Sequence, residues 1–203
     1  MHKLSQPPGT TDGRTITMRP TLIALCLAIL CAAAPAASSC GRERWPVKTG
    51  TDKDVQAVDP VPAGSTIARL SAIPAPVHPD GRRDRRFLPT EGRIFAVTGT
   101  VVLVRREKDD DYHIVLSDGG QTMIVEAPAP TCAHGSRFER EIAAVRRSLD
   151  ARLGGPLVRP GEAVRPHWRV TVTGIAFFDT MHHQTGVAAN GIELHPMLNI
   201  WFR

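Results

Sequence analysis

Two long segments rich in β-branched residues, each with a glycine near its middle, constrain the fold of this chain most. The first covers residues 94–104 (IFAVTGTVVLV) and contains Gly99, and the second covers residues 167–178 (HWRVTVTGIAFF) and contains Gly174. β-Branched residues favour strands, and a glycine inside a strand marks a bulge or a corner. Long strands that bend in the middle indicate a small barrel.

Three further strands are predicted from shorter patterns. Residues 112–116 alternate between two faces, the Asp-Gly-Gly at 118–120 favours a hairpin turn, and residues 121–127 return as the next strand. Residues 192–202 form the last strand, in which Pro196 indicates an edge or a bulge, because proline cannot donate a hydrogen bond to a neighbouring strand. The chain therefore contains five predicted strands.

A single helix is predicted between the third and fourth of these strands. Ser136 and Glu139 have the spacing of a capping box, in which each side chain satisfies a free backbone N–H of the other residue. Apolar residues recur at helical spacing at Phe138, Ile142, Val145 and Leu149, and the remaining faces carry Arg140, Arg146, Arg147 and Asp150. The Gly-Gly-Pro at 154–156 ends the helix.

This order of elements predicts a mainly β protein with an OB-fold-like five-stranded barrel, whose helix lies between strands three and four. Other small barrels also contain five strands and one helix. We place the barrel at residues 91–203 and an irregular N-terminal arm at residues 41–90, which holds seven prolines. The arm contains an arginine cluster that we interpret as a solvated loop, with a phosphate or acidic-polymer contact as the alternative: Arg82, Arg83, Arg85 and Arg86.

Residues 18–40 have the pattern of a signal peptide, in which a basic start precedes an apolar stretch and then small residues. The apolar stretch, residues 21–34, is shorter than the roughly 20 residues that a membrane-spanning helix needs. We expect translation to begin at Met18, which makes residues 1–17 a leader outside the native protein. Either signal peptidase cleaves near Ala36 or Cys40 is lipidated, so the protein is expected to be periplasmic, a cell-envelope lipoprotein or extracellular.

Processing would leave two cysteines, Cys40 and Cys132, which can form a disulfide outside the cytoplasm if Cys40 is not lipidated. The chain has 25 Lys and Arg against 20 Asp and Glu, and its first forty residues hold three bases and one acid. The remainder therefore has 22 bases against 19 acids, a net charge of +3. Such a charge gives no strong nucleic-acid signal, and membrane contact is expected only through a lipid anchor on Cys40.

Three separated motifs occur in the order RWPVKTG (residues 44–50), DYHIVLSD (residues 111–118) and NGIELHP (residues 190–196). Together they resemble a group of secreted bacterial proteins, and the resemblance extends over residues 42–202. The resemblance implies export but no particular activity. The group's pattern His-Gly-Gln is replaced by His182-His183-Gln184, so His182 is the better match of the two histidines.

The OB plan brings two predicted loops together, residues 107–111 and residues 179–191, at the flank where such barrels bind ligands. We expect the loop groups to be exposed. The candidate ligand-binding residues are Asp109, Asp111, His113, Asp179, His182, Glu193 and His195. Carboxylates and imidazoles can hold a divalent metal, for which Asp111 and His182 are the candidate ligands. Glu126, on the third strand, is either a functional acid or a hydrogen-bonded structural residue.

Two functions remain open. The first is an extracytoplasmic, non-catalytic binding module for an unknown ligand, which could be a protein, a saccharide or a nucleic-acid strand. No cofactor is expected in this case, although a divalent metal is compatible with it. The alternative is a secreted metal-dependent hydrolase, such as a nuclease, that uses His182, His195 and the aspartates. The absence of any familiar catalytic motif favours the binding module.

Overall fold

A computed structural model describes residues 9, 40–82, 84–181 and 183–203. The predicted leader and signal segment therefore lie outside the described residues, apart from Gly9 and Cys40, and so do Arg83 and His182. The described residues from Cys40 onward belong to one compact unit. Within these described ranges, no helix is both long and apolar enough to cross a membrane.

The elements are, in chain order, α1 (Trp45–Thr49), β1 (Asp59–Ser65), α2 (Ile67–Ser71), β2 (Arg93–Arg106), β3 (Tyr112–Asp118), β4 (Gln121–Ala127), α3 (Glu139–Leu153), β5 (Ala163–Val164), β6 (Trp168–Phe178) and β7 (Ile192–Phe202). Short 3-10 turns lie at Val55–Ala57, Pro79–Gly81, Thr90–Gly92 and Pro130–Cys132. The strands pair in the order β2–β3–β4–β7–β6, and β6 pairs again with β2. These five strands close a barrel, with α3 between β4 and β6 in the chain, which confirms the OB-fold-like prediction.

The core lies inside the barrel and under α3. Tyr112, Ile114 and Leu116 point inward from β3 and are buried in the main cluster of apolar side chains. The predicted apolar stripe of α3 is also confirmed, since Phe138, Ile142, Val145 and Leu149 are all buried. The helix thus closes one end of the barrel.

The helix starts at the end of the predicted capping segment. α3 begins at Glu139, three residues later than Ser136, and Phe138 at its N-terminus makes no side-chain capping bond. The Ser136 hydroxyl oxygen accepts from the backbone N–H of Phe138 at 3.0 Å, and the hydroxyl donates to the backbone oxygen of Thr49 in the arm. Arg146, which the sequence places off the apolar stripe, is buried, and its guanidinium lies 3.6 Å from the Tyr112 ring centroid. Contacts with other parts of the chain therefore add to the local pattern at Ser136 and bury Arg146.

The arm is more regular than predicted. Residues 41–90 contain α1, α2 and β1, and β1 pairs in parallel with β2. β1 was not predicted because Pro60 and Pro62 interrupt the strand pattern. Proline is tolerated in a strand only at a sheet edge or a bulge. The arm also packs on the barrel, since the Asn190 side-chain amide donates to the carbonyls of Leu70 and Ile73.

The arginine cluster is not simply a solvated loop. Arg86 is 1% exposed, and its guanidinium donates to both carboxylate oxygens of Asp52, at 3.0 and 2.6 Å. A second buried pair joins Arg44 to Glu91, with nitrogen–oxygen distances of 2.8 and 2.7 Å. Because buried charges need partners, these two pairs fix α1 and the end of the arm against the barrel.

Gly174 permits β6 to approach β7 closely. A Cβ at this position would lie 2.8 Å from the Leu194 Cβ and 2.9 Å from the backbone oxygen of Pro196. We expect Gly174→Ala to lower the free energy of unfolding by about 1–3 kcal/mol, as overpacked cores do. Gly64→Ala is the matched control, because no atom lies within 4 Å of its added Cβ. Urea denaturation of both variants tests this, and equal effects would contradict the steric argument.

Candidate functional site

A polar pocket of about 470 Å³ opens at one flank of the barrel. The arm, the loop between β2 and β3, and the loop between β6 and β7 all contribute to it. Its lining residues are Cys40, Gly41, Arg42, Glu43, Trp45, Lys48, Glu107, Lys108, Asp109, Asp111, Glu126, Asp179, Gln184 and His195. The structure thus brings together the two loops that the sequence placed at one flank.

Three nearly inaccessible residues form the floor of the pocket: Asp111, Glu126 and His195. Asp111 comes just before β3, and its Oδ1 accepts a hydrogen bond of 2.9 Å from the backbone N–H of Ala129. Glu126 lies on β4 and His195 on β7, and these two strands are neighbours in the barrel. Ligand atoms of the three side chains all lie within 4.8 Å of one another.

His113 lies behind Glu126, directly opposite it in the β3–β4 hairpin. Its Nδ1 is 2.9 Å from Glu126 Oε1, and its Nε2 donates to the backbone oxygen of Thr185 at 2.9 Å. Burial lowers the pKa of His113, but the hydrogen bond and charge of Glu126 outweigh burial and raise it. Conversely, burial raises the pKa of Glu126, but His113 and the other nearby cations hold it below its usual value. The raised pKa favours the imidazolium form of His113, whose Nδ1 orients the Glu126 carboxylate.

Among the described residues, His195 makes a hydrogen bond through only one of its ring nitrogens. Nδ1 is 3.1 Å from Glu193 Oε1, whereas Nε2 lies 3.5 Å from Asp111 Oδ2. This second separation is too long for a normal hydrogen bond, and Nε2 has no hydrogen-bond partner among the described residues. Burial lowers the pKa of His195, but the Asp111 and Glu193 carboxylates raise it to about 9.

Burial and neighbouring charges shift the pKa values of two carboxyl groups beside His195. Burial raises the pKa of Asp111 to about 6, against the opposing effect of His195. Burial and the charge of Asp179 raise the pKa of Glu193 to about 7. Both carboxyls therefore retain protons more readily than they would in water, chiefly because burial disfavours their charged forms.

Lys48 is the cation that the arm supplies to this region. It extends from α1, and its Nζ lies 3.6 Å from Asp179 Oδ2 and 5.2 Å from the centroid of the Phe177 ring. Burial lowers the pKa of Lys48, but Glu193 and Asp179 raise it above its usual value. Lys48 is therefore a permanently charged partner for the carboxylates at one side of the pocket.

The predicted site residues divide into three groups. Asp109, Asp111, Asp179 and His195 line the pocket, and His113 and Glu193 lie behind its floor. His183 is exposed and lies outside the pocket lining, and His182 lies outside the described residues. The expected exposure of the loop carboxylates is wrong for Asp111 and Asp179, which are 1% and 8% exposed. At Asp179 the arm contributes to this burial, because Lys48 of α1 lies 3.6 Å from its Oδ2.

Sequence reasoning missed Lys48 as a pocket residue and left Glu126 ambiguous. The hairpin turn at 118–120 could have indicated that Glu126 has a histidine partner. Counting strand pairs outward from this turn places residue 126 opposite His113. Lys48 had no comparable signal beyond its place in the RWPVKTG motif, because its position depends on how the arm docks.

Comparison with protein-family models found no match to this chain, and no curated protein matches its sequence. Among solved structures, the chain is similar to the crystal structure of a putative aspartyl-tRNA synthetase from Leishmania major Friedlin, with 14% identity and a TM-score of 0.40. The similarity covers 71% of this chain and only 21% of that protein's length. A similarity at this level assigns no function to the pocket.

Proposed function

We propose that this protein is an extracytoplasmic, non-catalytic binding module whose pocket takes a positively charged ligand. The charge of the pocket carries the proposal, because six carboxylates line it against four cationic groups, which are Arg42, Lys48, Lys108 and the His195 imidazolium. Of these carboxylates, Asp111 and Glu126 lie on a floor that water hardly reaches. Water screens charges poorly in such a place, so a cation that reaches the floor is attracted strongly.

The raised pKa values of Asp111 and Glu193 support the same proposal. Burial disfavours the charged forms of these two carboxyls, and a cation that enters the pocket favours them. A metal ion or the ammonium or guanidinium group of a peptide has the required charge. The same acidic lining disfavours a nucleic-acid strand, whose phosphates would meet more carboxylates than cations.

Two observations support a location outside the cytoplasm. Residues 18–40 have the pattern of a signal peptide, and Cys40 is bonded to Cys132. Disulfides persist in oxidising compartments and are rare in the cytosol.

A metal-dependent hydrolase is the second candidate. It is favoured by the way Asp111, Glu126 and His195 converge at the floor of a pocket large enough for a substrate. Such an enzyme needs a metal with an open coordination position facing solvent. Hydrolysis of a phosphodiester or peptide that is lost with a chelator and restored by metal would favour this candidate over the binding module.

Thermal-shift measurements with charged probes test the binding proposal. The cationic probes are Zn²⁺, Mn²⁺, Ca²⁺ and a short oligolysine, and the anionic probes are inorganic phosphate and a single-stranded DNA. We expect at least one cationic probe, and neither anionic probe, to stabilise the protein, by about 2.7 kcal/mol at a concentration one hundred times its Kd.

The stabilisation should disappear in Glu126→Gln and persist in Glu139→Gln. Glu139 is the matched control because its Oε1 lies 3.2 Å from a histidine nitrogen, that of His134, yet both side chains are exposed and lie outside the pocket. Equal losses in the two variants, or stabilisation by the anionic probes alone, would contradict the proposal.

A further inference from the structure

We infer that Asp111, Glu126 and His195 together bind one divalent transition-metal ion of the Zn²⁺ type. This inference rests on the proposed function, since the ion would be the cation that the pocket takes. The three side chains converge within 4.8 Å and all line the pocket. An ion can therefore enter from solvent and reach ligands that are otherwise shielded from it.

The donor set determines the class of metal. Two carboxylate oxygens and one imidazole nitrogen suit Zn²⁺ and its first-row neighbours, whereas Ca²⁺ and Mg²⁺ prefer oxygen ligands alone. Three protein ligands also leave a coordination position for water or for another molecule. The unfilled side would face the pocket, because the described part of the chain encloses the cluster from behind with Glu193 and His113.

His195 provides evidence for a metal site that is independent of the two carboxylates. Its side chain is 1% exposed, and its Nε2 has no hydrogen-bond partner among the described residues although it faces Asp111. A buried polar atom that makes only this long contact is costly, and a metal ion would give it a partner. The 3.5 Å between Nε2 and Asp111 Oδ2 is close to the roughly 3.4 Å that separates two ligands of a tetrahedral ion with bonds of about 2.1 Å.

Each of the three ligands is oriented by a separate partner. The backbone N–H of Ala129 holds Oδ1 of Asp111, which leaves Oδ2 directed towards His195. His113 holds Oε1 of Glu126, and Glu193 holds Nδ1 of His195. A carboxylate that accepts from the far nitrogen of a metal-binding histidine is a common feature of zinc sites, and so are hydrogen bonds to ligating carboxylates.

Lys48 does not substitute for the ion. Its ammonium forms its ion pair with Asp179, at 3.6 Å, and interacts most strongly with Glu193 and Asp179. It thus balances mainly the carboxylates beside the cluster, and its electrostatic effect on Glu126 is smaller.

The decisive variants keep the shape of each ligand and change its donor atom. Asp111→Asn retains an oxygen that can accept from Ala129 and replaces the other oxygen with an amide that cannot coordinate. Glu126→Gln does the same beside His113. We expect the purified full chain to bind one Zn²⁺ per molecule in isothermal titration, and each variant to weaken the affinity by more than about 100-fold. Circular dichroism checks that the variants are folded.

Two further variants separate the cluster from adventitious binding and from general structure. His134→Gln removes an exposed histidine that also lies beside a carboxylate, so its Zn²⁺ affinity should equal that of the native chain. Glu193→Gln should weaken the affinity by about 10-fold to 100-fold but keep the visible spectrum of bound Co²⁺, because it orients a ligand without being one. Asp111→Asn should change that spectrum.

The outcomes distinguish this inference from the proposed function. If oligolysine stabilises the protein but Zn²⁺ and Co²⁺ do not bind, the metal site is wrong and the cation-binding module remains. If Zn²⁺ binds as tightly to Asp111→Asn and Glu126→Gln as to the native chain, the assignment of these ligands is overturned. If neither metal nor organic cations bind, both proposals fail.

Discussion

Replacing Glu91 by glutamine is expected to lower the free energy of unfolding by about 3–5 kcal/mol, the cost of leaving a buried charge without its partner. Glu91 is fully buried, and each of its oxygens accepts two hydrogen bonds. Oε1 accepts from Arg44 and from the backbone N–H of Phe178, and Oε2 accepts from Arg44 and from the backbone N–H of Phe87. A glutamine amide would point two N–H groups at these donors and leave the Arg44 guanidinium uncompensated.

Asp84→Asn is the matched control for this prediction. Asp84 also forms an ion pair, with Lys53 at 2.7 Å, but both side chains are largely in solvent. Exposed pairs contribute about 0–1 kcal/mol, so this variant should stay close to the native stability. Chemical denaturation of both proteins provides the comparison. Similar losses in the two variants would mean that burial does not determine the importance of the Arg44–Glu91 pair.

The barrel was predictable because its signals are local. Residues 121–127 and 192–202 coincide with β4 and β7, and the turn at 118–120 connects β3 to β4 as expected. Alternation of apolar residues, turn residues and strand glycines depends only on neighbours in the sequence. Even Pro196 was informative, because the pairing of β6 with β7 is irregular on both sides of Gly174, which lies against Pro196.

The arm was not predictable in the same way. Its order comes from buried ion pairs such as Arg86–Asp52, whose partners are 34 residues apart and follow no periodic pattern. A cluster of charged residues in a proline-rich segment is interpreted as a solvated loop when its ion-pair partners are not known. The same docking brings Lys48 of the arm to Asp179 in the pocket. The predicted fold was therefore sufficient to assign the two loops to one flank of the barrel. It was not sufficient to predict that the arm encloses the site.

The bond between Cys40 and Cys132 leads to the last prediction, because it ties the start of the arm to the turn that follows β4. The two residues are 92 positions apart, and closing a loop of that length contributes about 4–5 kcal/mol in the chain-entropy model. Cys132→Ala should therefore lower the free energy of unfolding by about this amount. It should also weaken cation binding, since Cys40, Gly41 and Trp45 form one wall of the pocket.

Comparison of Cys40→Ala, Cys132→Ala and the double variant identifies the bond as the cause. If the disulfide is responsible, all three variants lose the same stability, because removing the second sulfur takes away nothing further. Additive losses would instead indicate separate packing effects of the two side chains. A sulfur in a disulfide cannot also carry a lipid thioether, so titration of thiols in the unreduced protein separates the two fates of Cys40. A free Cys132 thiol with a lipidated Cys40 would remove the disulfide contribution and leave the arm held by its buried ion pairs.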